Sequence, residues 1–197
     1  MKIKICGITN LEDAVCACIH GADAIGFVFY EKSPRYIKPS EAAKIVSKLP
    51  PFVQSIGLFV NQSADEIDKI AKISTIDLAQ IHFEMDNNEI AKLQTKHIKV
   101  NRVAQKSDIL KFENEYRIVD AFVDAFGGEG KRLNLEWFRD IDCSKIIIAG
   151  GLNAKNLEEL NGFGFYGVDV SSGVELSKGI KDHQKIINFL KVANEIS

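Results

Sequence analysis

The chain has 197 residues, 46% of them hydrophobic, and 25 Lys and Arg against 27 Asp and Glu give a formal net charge of -2. That length and apolar content suit one domain, residues 1–197, with a substantial core. The dispersed, nearly balanced charge excludes an extended nucleic-acid or anionic-membrane surface, though not a local pocket for a small anion.

Cys6, Cys16, Cys18 and Cys143 form no CxxC pair and the histidines are scattered, so neither a zinc site nor a disulfide framework is expected. There is no basic-then-apolar leader and no run long enough to span a bilayer. The expectation is a cytoplasmic protein with reduced thiols.

Strand, loop and helix alternate along the chain. Ile3-Lys4-Ile5-Cys6 is a short strand; Asn10 caps the next helix, with Asp13 at its third position, and Gly21 ends it. Ala24 to Phe29 is a second apolar strand, followed by a loop from Tyr30 to Pro39 and a helix from near Ser40. Val53 to Val60 is the third strand, and Ser63-Ala64-Asp65-Glu66 is a capping box opening the third helix. Asp77 to His82 is the fourth strand, with a polar helix from near Asn87 to Lys96. His97 to Val103 is the fifth, with a helix around Asp108 to Asn114. Ile118 to Asp124 is the sixth, with a short helix from Leu135 to Arg139 after its glycine loop. Lys145 to Ala149 is the seventh, its helix capped by Asn153; Phe165 to Val170 is the eighth, and an amphipathic helix from about Lys181 to Ile196 closes the chain.

Eight units at about 25 residues each are compact for a barrel of typically about 250 residues. The alternation implies a parallel sheet. The strand count and the polar residues recurring at strand C-termini favour an α/β fold, a single (β/α)8 TIM barrel, over an open doubly wound sheet.

The glycine loop Gly127-Gly128-Glu129-Gly130-Lys131 is not a nucleotide loop: Ala125 occupies the position of the first Walker glycine, and Arg132 follows the lysine. Asp124 ends the strand before it, either as a loop cap or as a general acid if an apolar setting raises its pKa. Cys6 ends the first strand. Taken alone it reads as a buried structural cysteine; at a barrel mouth a thiolate there is a candidate base. Lys4 shares its inward parity and needs an anionic partner, for which Asp169 on strand eight is the candidate. Arg35, in the stiff Ser33-Pro34-Arg35-Tyr36 loop, suits bidentate capture of a carboxylate, with a solvated arginine as the plainer reading. Gly150-Gly151 after strand seven and Ser171-Ser172-Gly173 after strand eight suit a phosphate. Gly26 and Gln80 lie on inner strand positions, lining the pocket or simply packing.

These residues together carry a resemblance. Lys4-Ile5-Cys6-Gly7-Ile8, Gly26-Phe27-Val28-Phe29 with Ser33-Pro34-Arg35-Tyr36, Gly57-Leu58-Phe59-Val60-Asn61, Gln80-Ile81-His82, Asp124 before the glycine loop, Gly150-Gly151-Leu152-Asn153 and Gly167 to Glu175 resemble the phosphoribosylanthranilate isomerase family of tryptophan biosynthesis, in order over nearly the whole chain. The resemblance implies a ribulose-phosphate-binding barrel. It also implies an Amadori rearrangement of N-(5-phosphoribosyl)anthranilate to the 1-deoxyribulose 5-phosphate derivative, without metal or cofactor. By the same resemblance Cys6 is the general base, Asp124 the general acid, Arg35 the ligand of the anthranilate carboxylate, and Gly150, Gly151, Ser171 and Ser172 the phosphate site. Gln80 and Asp169 complete the expected substrate-binding set.

The chain departs from the family pattern at Phe83, at Glu129 and from Lys131 to Trp137. The expected partner is a small anion bearing phosphate and carboxylate, in a monomer or a homodimer. Three other readings stand beside this one: a histidine-pathway phosphoribosyl aminoaldose isomerase, which would use carboxylates alone; a non-catalytic sugar-phosphate-binding barrel; and a thiol redox sensor built on Cys6.

Overall fold

The short apolar runs pair side by side because each is too short to bury itself and every second residue faces the same way. In the computed structural model, which describes residues 1–121 and 132–196, they are β1 (Lys2–Ile5), β2 (Ala24–Val28), β3 (Gln54–Phe59), β4 (Leu78–Ile81), β5 (His97–Val103), β6 (Arg117–Ala121), β7 (Ile146–Ala149) and β8 (Gly167–Val170). The eight close into one parallel barrel in sequence order, with β8 pairing back to β1 through Lys4 and Asp169. The expected (β/α)8 barrel is therefore the fold.

Alternation along the strands makes two cores. Outward residues such as Ile3, Ile5, Phe27, Phe59 and Val168 pack against the helices with Ile67, Ile186 and Phe189. Inward residues Ala24, Ile56, Leu78, Ile98, Val100, Ile118 and Ala149 fill the lower barrel. The upper inward positions are polar, so the barrel's chemistry sits at the C-terminal ends of its strands.

The helices are α1 (Leu11–Ile19), α2 (Pro39–Val46), α3 (Ala64–Ser74), α4 (Asn87–Ile90) and α5 (His183–Glu195). Asn10 caps α1 through the Asp13 N–H, and the Ser63–Glu66 capping box forms. The terminal helix forms as expected, as α5, but between β4 and β8 the expected helices are reduced among the described residues. The stretch from Asn87 to Lys96 gives one turn that buries nothing. After β5 there is only a 3-10 segment, Lys106–Leu110, which buries Ile109 alone and stops before Phe112 at φ 62°. Leu135–Phe138 is likewise 3-10. Asn153 caps no helix; its side chain accepts the Lys155 N–H in a local turn, and a 3-10 segment follows at Leu157–Leu160. A helix nucleus is costly, and none of these stretches has the apolar stripe that would hold a longer one to the barrel. One element was not anticipated: β9 (Glu175–Ser177) and β10 (Ile180–Lys181) form an antiparallel hairpin between β8 and α5, turning at Gly179 with φ 85°.

Candidate active site

Inward alternation on β1 aims Lys4 and Cys6 into the barrel. Lys4 Nζ donates to Asp169 Oδ2 at 2.7 Å and to Gln80 Oε1 at 2.6 Å, so the expected Lys4–Asp169 pair is present and buried. Burial opposes the lysine charge, but Asp169 and Cys6 outweigh it and hold the Lys4 pKa above its ordinary value. Gln80 Nε2 faces His82 Nδ1 at 3.3 Å. Burial, with the charges of Arg102 and Lys4, lowers the His82 pKa to about 4, so its ring is neutral. His82 Nε2 and Asp169 Oδ1 are buried with no protein partner.

Cys6 continues β1 upward, its N–H donating to the Val170 carbonyl at 2.8 Å. Its thiol lies next to Gly26, where an added Cβ would sit 2.9 Å from Sγ. Burial pushes the thiol up; Lys4 and Lys181 pull it down and Asp169 pushes it further up, leaving it above the ordinary cysteine value.

Sequence reasoning passed over Asp120. It is an inward residue of β6, in register with Arg102 on β5 and one step beyond the Val119–Ile148 pair, beside Ala149. Ala149 pairs with Asp169, and Asp169 with Lys4, so Asp120 is separated from the Lys4–Asp169 pair only by β7. Burial raises the Asp120 pKa to about 6, and Asp169 adds to the rise against the Ala121 N–H, Arg102 and Lys4. The signal was in the sequence: a carboxylate inside the apolar run Ile118-Val119-Asp120-Ala121, with the same parity as Asp124. Asp124 itself, with the glycine loop at 127–131, lies outside the described residues.

Arg35 is not a solvated loop arginine. Its Nε and Nη2 each donate at 2.8 Å to the Glu175 carboxylate, and the pair is buried. Burial raises the Glu175 pKa, but the Arg35 bonds and Lys181 overcome it and hold the carboxylate below its usual value. The Arg35 stem crosses Gly7, where a Cβ would meet Arg35 Cδ at 2.7 Å and Ser171 Oγ at 2.9 Å. Ser171 Oγ is buried and unpartnered. Gly150 and Gly151 both take positive φ, 92° and 62°, which a side chain would disfavour. The loops after β7 and β8 touch: a Cβ at Gly173 would fall 1.8 Å from the Leu152 carbonyl oxygen. Ser172 opens a single 3-10 turn there. The fold thus brings Cys6, Arg35, Gly150, Gly151, Asp169, Ser171 and Ser172 to one end of the barrel, with Gln80 just below through Lys4.

Among the described residues no group of three or more His, Cys, Asp or Glu side chains could hold a metal ion. All four cysteines are free thiols.

A closed barrel that collects its titratable side chains at the C-terminal strand ends has the build of a (β/α)8 enzyme. Comparison with known proteins narrows the class. Residues 3–192 match the sequence model of N-(5'-phosphoribosyl)anthranilate isomerase. The chain is 58% identical over 193 residues to the N-(5'-phosphoribosyl)anthranilate isomerase of a Nitratiruptor species, covering 98% of each. It is 53% identical over 196 residues to that of a Sulfurovum species, covering all of both. The crystal structure of phosphoribosyl anthranilate isomerase from Thermotoga maritima superposes over the whole of both chains with a TM-score of 0.89 at 36% identity. The chain belongs to the N-(5'-phosphoribosyl)anthranilate isomerase family.

Proposed function

We propose that this barrel isomerises N-(5'-phosphoribosyl)anthranilate to 1-(2-carboxyphenylamino)-1-deoxyribulose 5-phosphate in tryptophan biosynthesis, with Cys6 as base and Asp120 as acid. Asp120, protonated, donates to the furanose ring oxygen as the ring opens to a Schiff base. Cys6, as thiolate, removes the proton from the sugar C2. The resulting enolamine takes up a proton at C1 and gives up the one on the C2 hydroxyl, becoming the ketone. The observation that carries this reading is the presence, in a chain matched to the family over residues 3–192, of a buried thiol at the barrel mouth and a carboxyl whose pKa is raised to about 6. Such a carboxyl is about one-tenth protonated at pH 7, close enough to neutrality to act as an acid. A structure similar to this chain, with a TM-score of 0.85 at 36% identity, is described as a complex with reduced 1-(o-carboxyphenylamino)-1-deoxyribulose 5-phosphate.

The remaining groups divide the substrate between them. Gly150, Gly151, Ser171 and Ser172 take the phosphate through backbone N–H groups and hydroxyls. Arg35 takes the anthranilate carboxylate through the Nη1 edge outside its Glu175 pair. Asp169 Oδ1, buried without a partner, accepts a sugar hydroxyl, while Gln80 holds Lys4 in place. The chemistry uses protons only and needs no metal or cofactor.

The test follows the fluorescence of phosphoribosylanthranilate, made in situ from anthranilate and phosphoribosyl pyrophosphate by the preceding transferase. Rapid loss with wild type, and about 10²–10⁴-fold slower loss with Cys6→Ala and with Asp120→Asn, is the expected result. If Asp124→Asn is crippled and Asp120→Asn is not, the acid is Asp124, as the sequence resemblance implied. A folded wild type that binds phosphate but leaves the fluorescence unchanged would return the non-catalytic and histidine-pathway readings.

For assembly and location, we favour a cytoplasmic homodimer. A structure of dimeric phosphoribosylanthranilate isomerase from Thermotoga maritima, in monomers generated from it, superposes with a TM-score of 0.84 at 33% identity. Here Phe52, 98% exposed, stands at the rim of a cavity of about 430 Å³ at the N-terminal end of the barrel, floored by Ile56, Leu78 and Ile98. A second copy covering that face would bury the ring. Sedimentation of wild type as a monomer would overturn this, and Phe52→Asp is expected to dissociate the pair.

A further inference from the structure

We propose that Lys181, carried on the hairpin strand β10, is a positioning residue for Cys6: its buried ammonium is the counter-charge for the Cys6 thiolate. The inference rests on Cys6 being the base.

The hairpin folds back on the end of β8. Lys181 donates from Nζ to the Ser171 carbonyl at 3.1 Å and to Glu175 Oε1 at 3.2 Å, and its side chain is fully buried. Ser171 is one residue beyond the Ile5–Val170 pair and so stands beside Cys6. Long amphipathic side chains normally reach for water; one held inside the protein beside a thiol is a costly arrangement.

A count of the charges gives the reason for it. Around Cys6 and Lys181, three cations, Lys4, Arg35 and Lys181, face two carboxylates, Asp169 and Glu175. Asp169 is taken by Lys4. Glu175 is shared: Arg35 holds both its oxygens at 2.8 Å and the Gly179 N–H shares Oε1, leaving Lys181 the longer contact. Asp13, from α1, accepts the Lys181 backbone N–H and contacts the His183 ring rather than the ammonium. One positive charge is therefore unanswered in a closed space, and the group beside it that can become an anion is Cys6. The same attraction acts on both groups: against burial, Lys4 first and then Lys181 lower the Cys6 pKa, and Glu175 first and then Cys6 raise that of Lys181, which burial holds below the ordinary lysine value.

The hairpin thus tunes a proton acceptor that lies on a strand at the opposite end of the sequence. It also ties the tuning to Arg35, because both cations compete for Glu175.

The experiment titrates Cys6 directly, by NMR of protein labelled with ¹³C at the cysteine β-carbon, in wild type and in Lys181→Met, Lys181→Gln and Lys181→Arg. The glutamine variant keeps a donor for Ser171 and Glu175 while removing the charge, so it serves if the methionine variant does not fold. Both neutral variants are expected to titrate about one pH unit or more higher, at least tenfold less thiolate at a given pH. The Cys6 limb of the kcat profile should move by the same amount with KM little changed, and arginine should restore both. A Cys6 midpoint that stays put in a folded neutral variant overturns the proposal, as does a loss of activity that persists undiminished above the Cys6 midpoint, where the thiolate is complete in both proteins. If Cys6 proves not to be the base, the NMR midpoint still moves with Lys181 while the kcat profile does not, which separates the two failures.

Discussion

Replacing Gly26 by Ala puts a methyl group against the reacting thiol, and the structure sets the size of the insult. The new Cβ would lie 2.9 Å from Cys6 Sγ, 2.9 Å from Lys4 Cε and 3.0 Å from Cys6 Cα. Carbon contacts are comfortable at about 3.5–4.0 Å, so the thiol and the lysine stem must retreat by about 0.6–1.1 Å. Neither is free to do so, since Lys4 is pinned by Asp169 and Gln80. A misplacement of about 1 Å at a reacting group costs about 10²-fold in rate, and overpacking costs about 1–3 kcal/mol of stability. The control is Gly57→Ala on the outward face of β3, where the added Cβ would meet Ile76 Cδ1 at 2.5 Å and Phe29 Cε2 at 2.7 Å. Thermal melts and fluorescence-monitored turnover of both variants give the answer. Gly57→Ala should melt lower with kcat retained, by about 2–4 °C for each kcal/mol in a chain of this size. Gly26→Ala should lose about 10²-fold in kcat even where it is fully folded. A folded Gly26→Ala with wild-type kcat would refute the placement of Cys6 at the reaction.

Other outcomes follow from the same geometry. Because Asp120 titrates at about 6 and Cys6 above its ordinary range, the productive form, thiolate with neutral carboxyl, is a minority species. The kcat/KM profile should be bell-shaped, falling below about 6 and again above the Cys6 pKa; in Asp120→Asn the residual rate should keep rising until Cys6 is fully ionised. Glu175→Ala leaves Arg35 and Lys181 as unpaired buried cations, at about 3–5 kcal/mol, seen as a melt lowered by about ten degrees and a raised KM. Ser171→Ala removes a buried hydroxyl with no protein partner, so folding should be little changed. Inhibition by inorganic phosphate and substrate binding should weaken by about ten- to a hundredfold, the worth of a hydrogen bond to a charged group, and an unchanged KM would remove Ser171 from the phosphate site.

The barrel was legible before any coordinates. Eight short apolar runs, each ending near a glycine, a polar residue or a cap, admit few parallel arrangements, and the period of two told which residues of β1 and β8 face inward. That parity was enough to join Lys4 to Asp169 across 165 positions. Local chemistry also set the caps at Asn10 and Ser63, because a cap is decided within four residues. Helix lengths between β4 and β8 were not legible, since a polar stretch becomes helix only if enough packs on it, and the described segments there bury at most two residues each.

The site divides in the same way. Cys6, the glycine pairs and the serines announce themselves by position at strand ends. Asp120 showed in the sequence only as a carboxylate inside an apolar run; its raised pKa comes from burial and from Asp169, against Arg102 and Lys4, all brought by other strands. Arg35 was visible as a fork, yet only the folded chain supplied Glu175, 140 residues away, as the carboxylate that holds it. Lys181 carried no sequence signal at all: one lysine among many became a buried charge beside Cys6 only because the hairpin closes over the end of β8. Electrostatic roles depend on distance and burial, and for groups far apart in the chain both are properties of the fold.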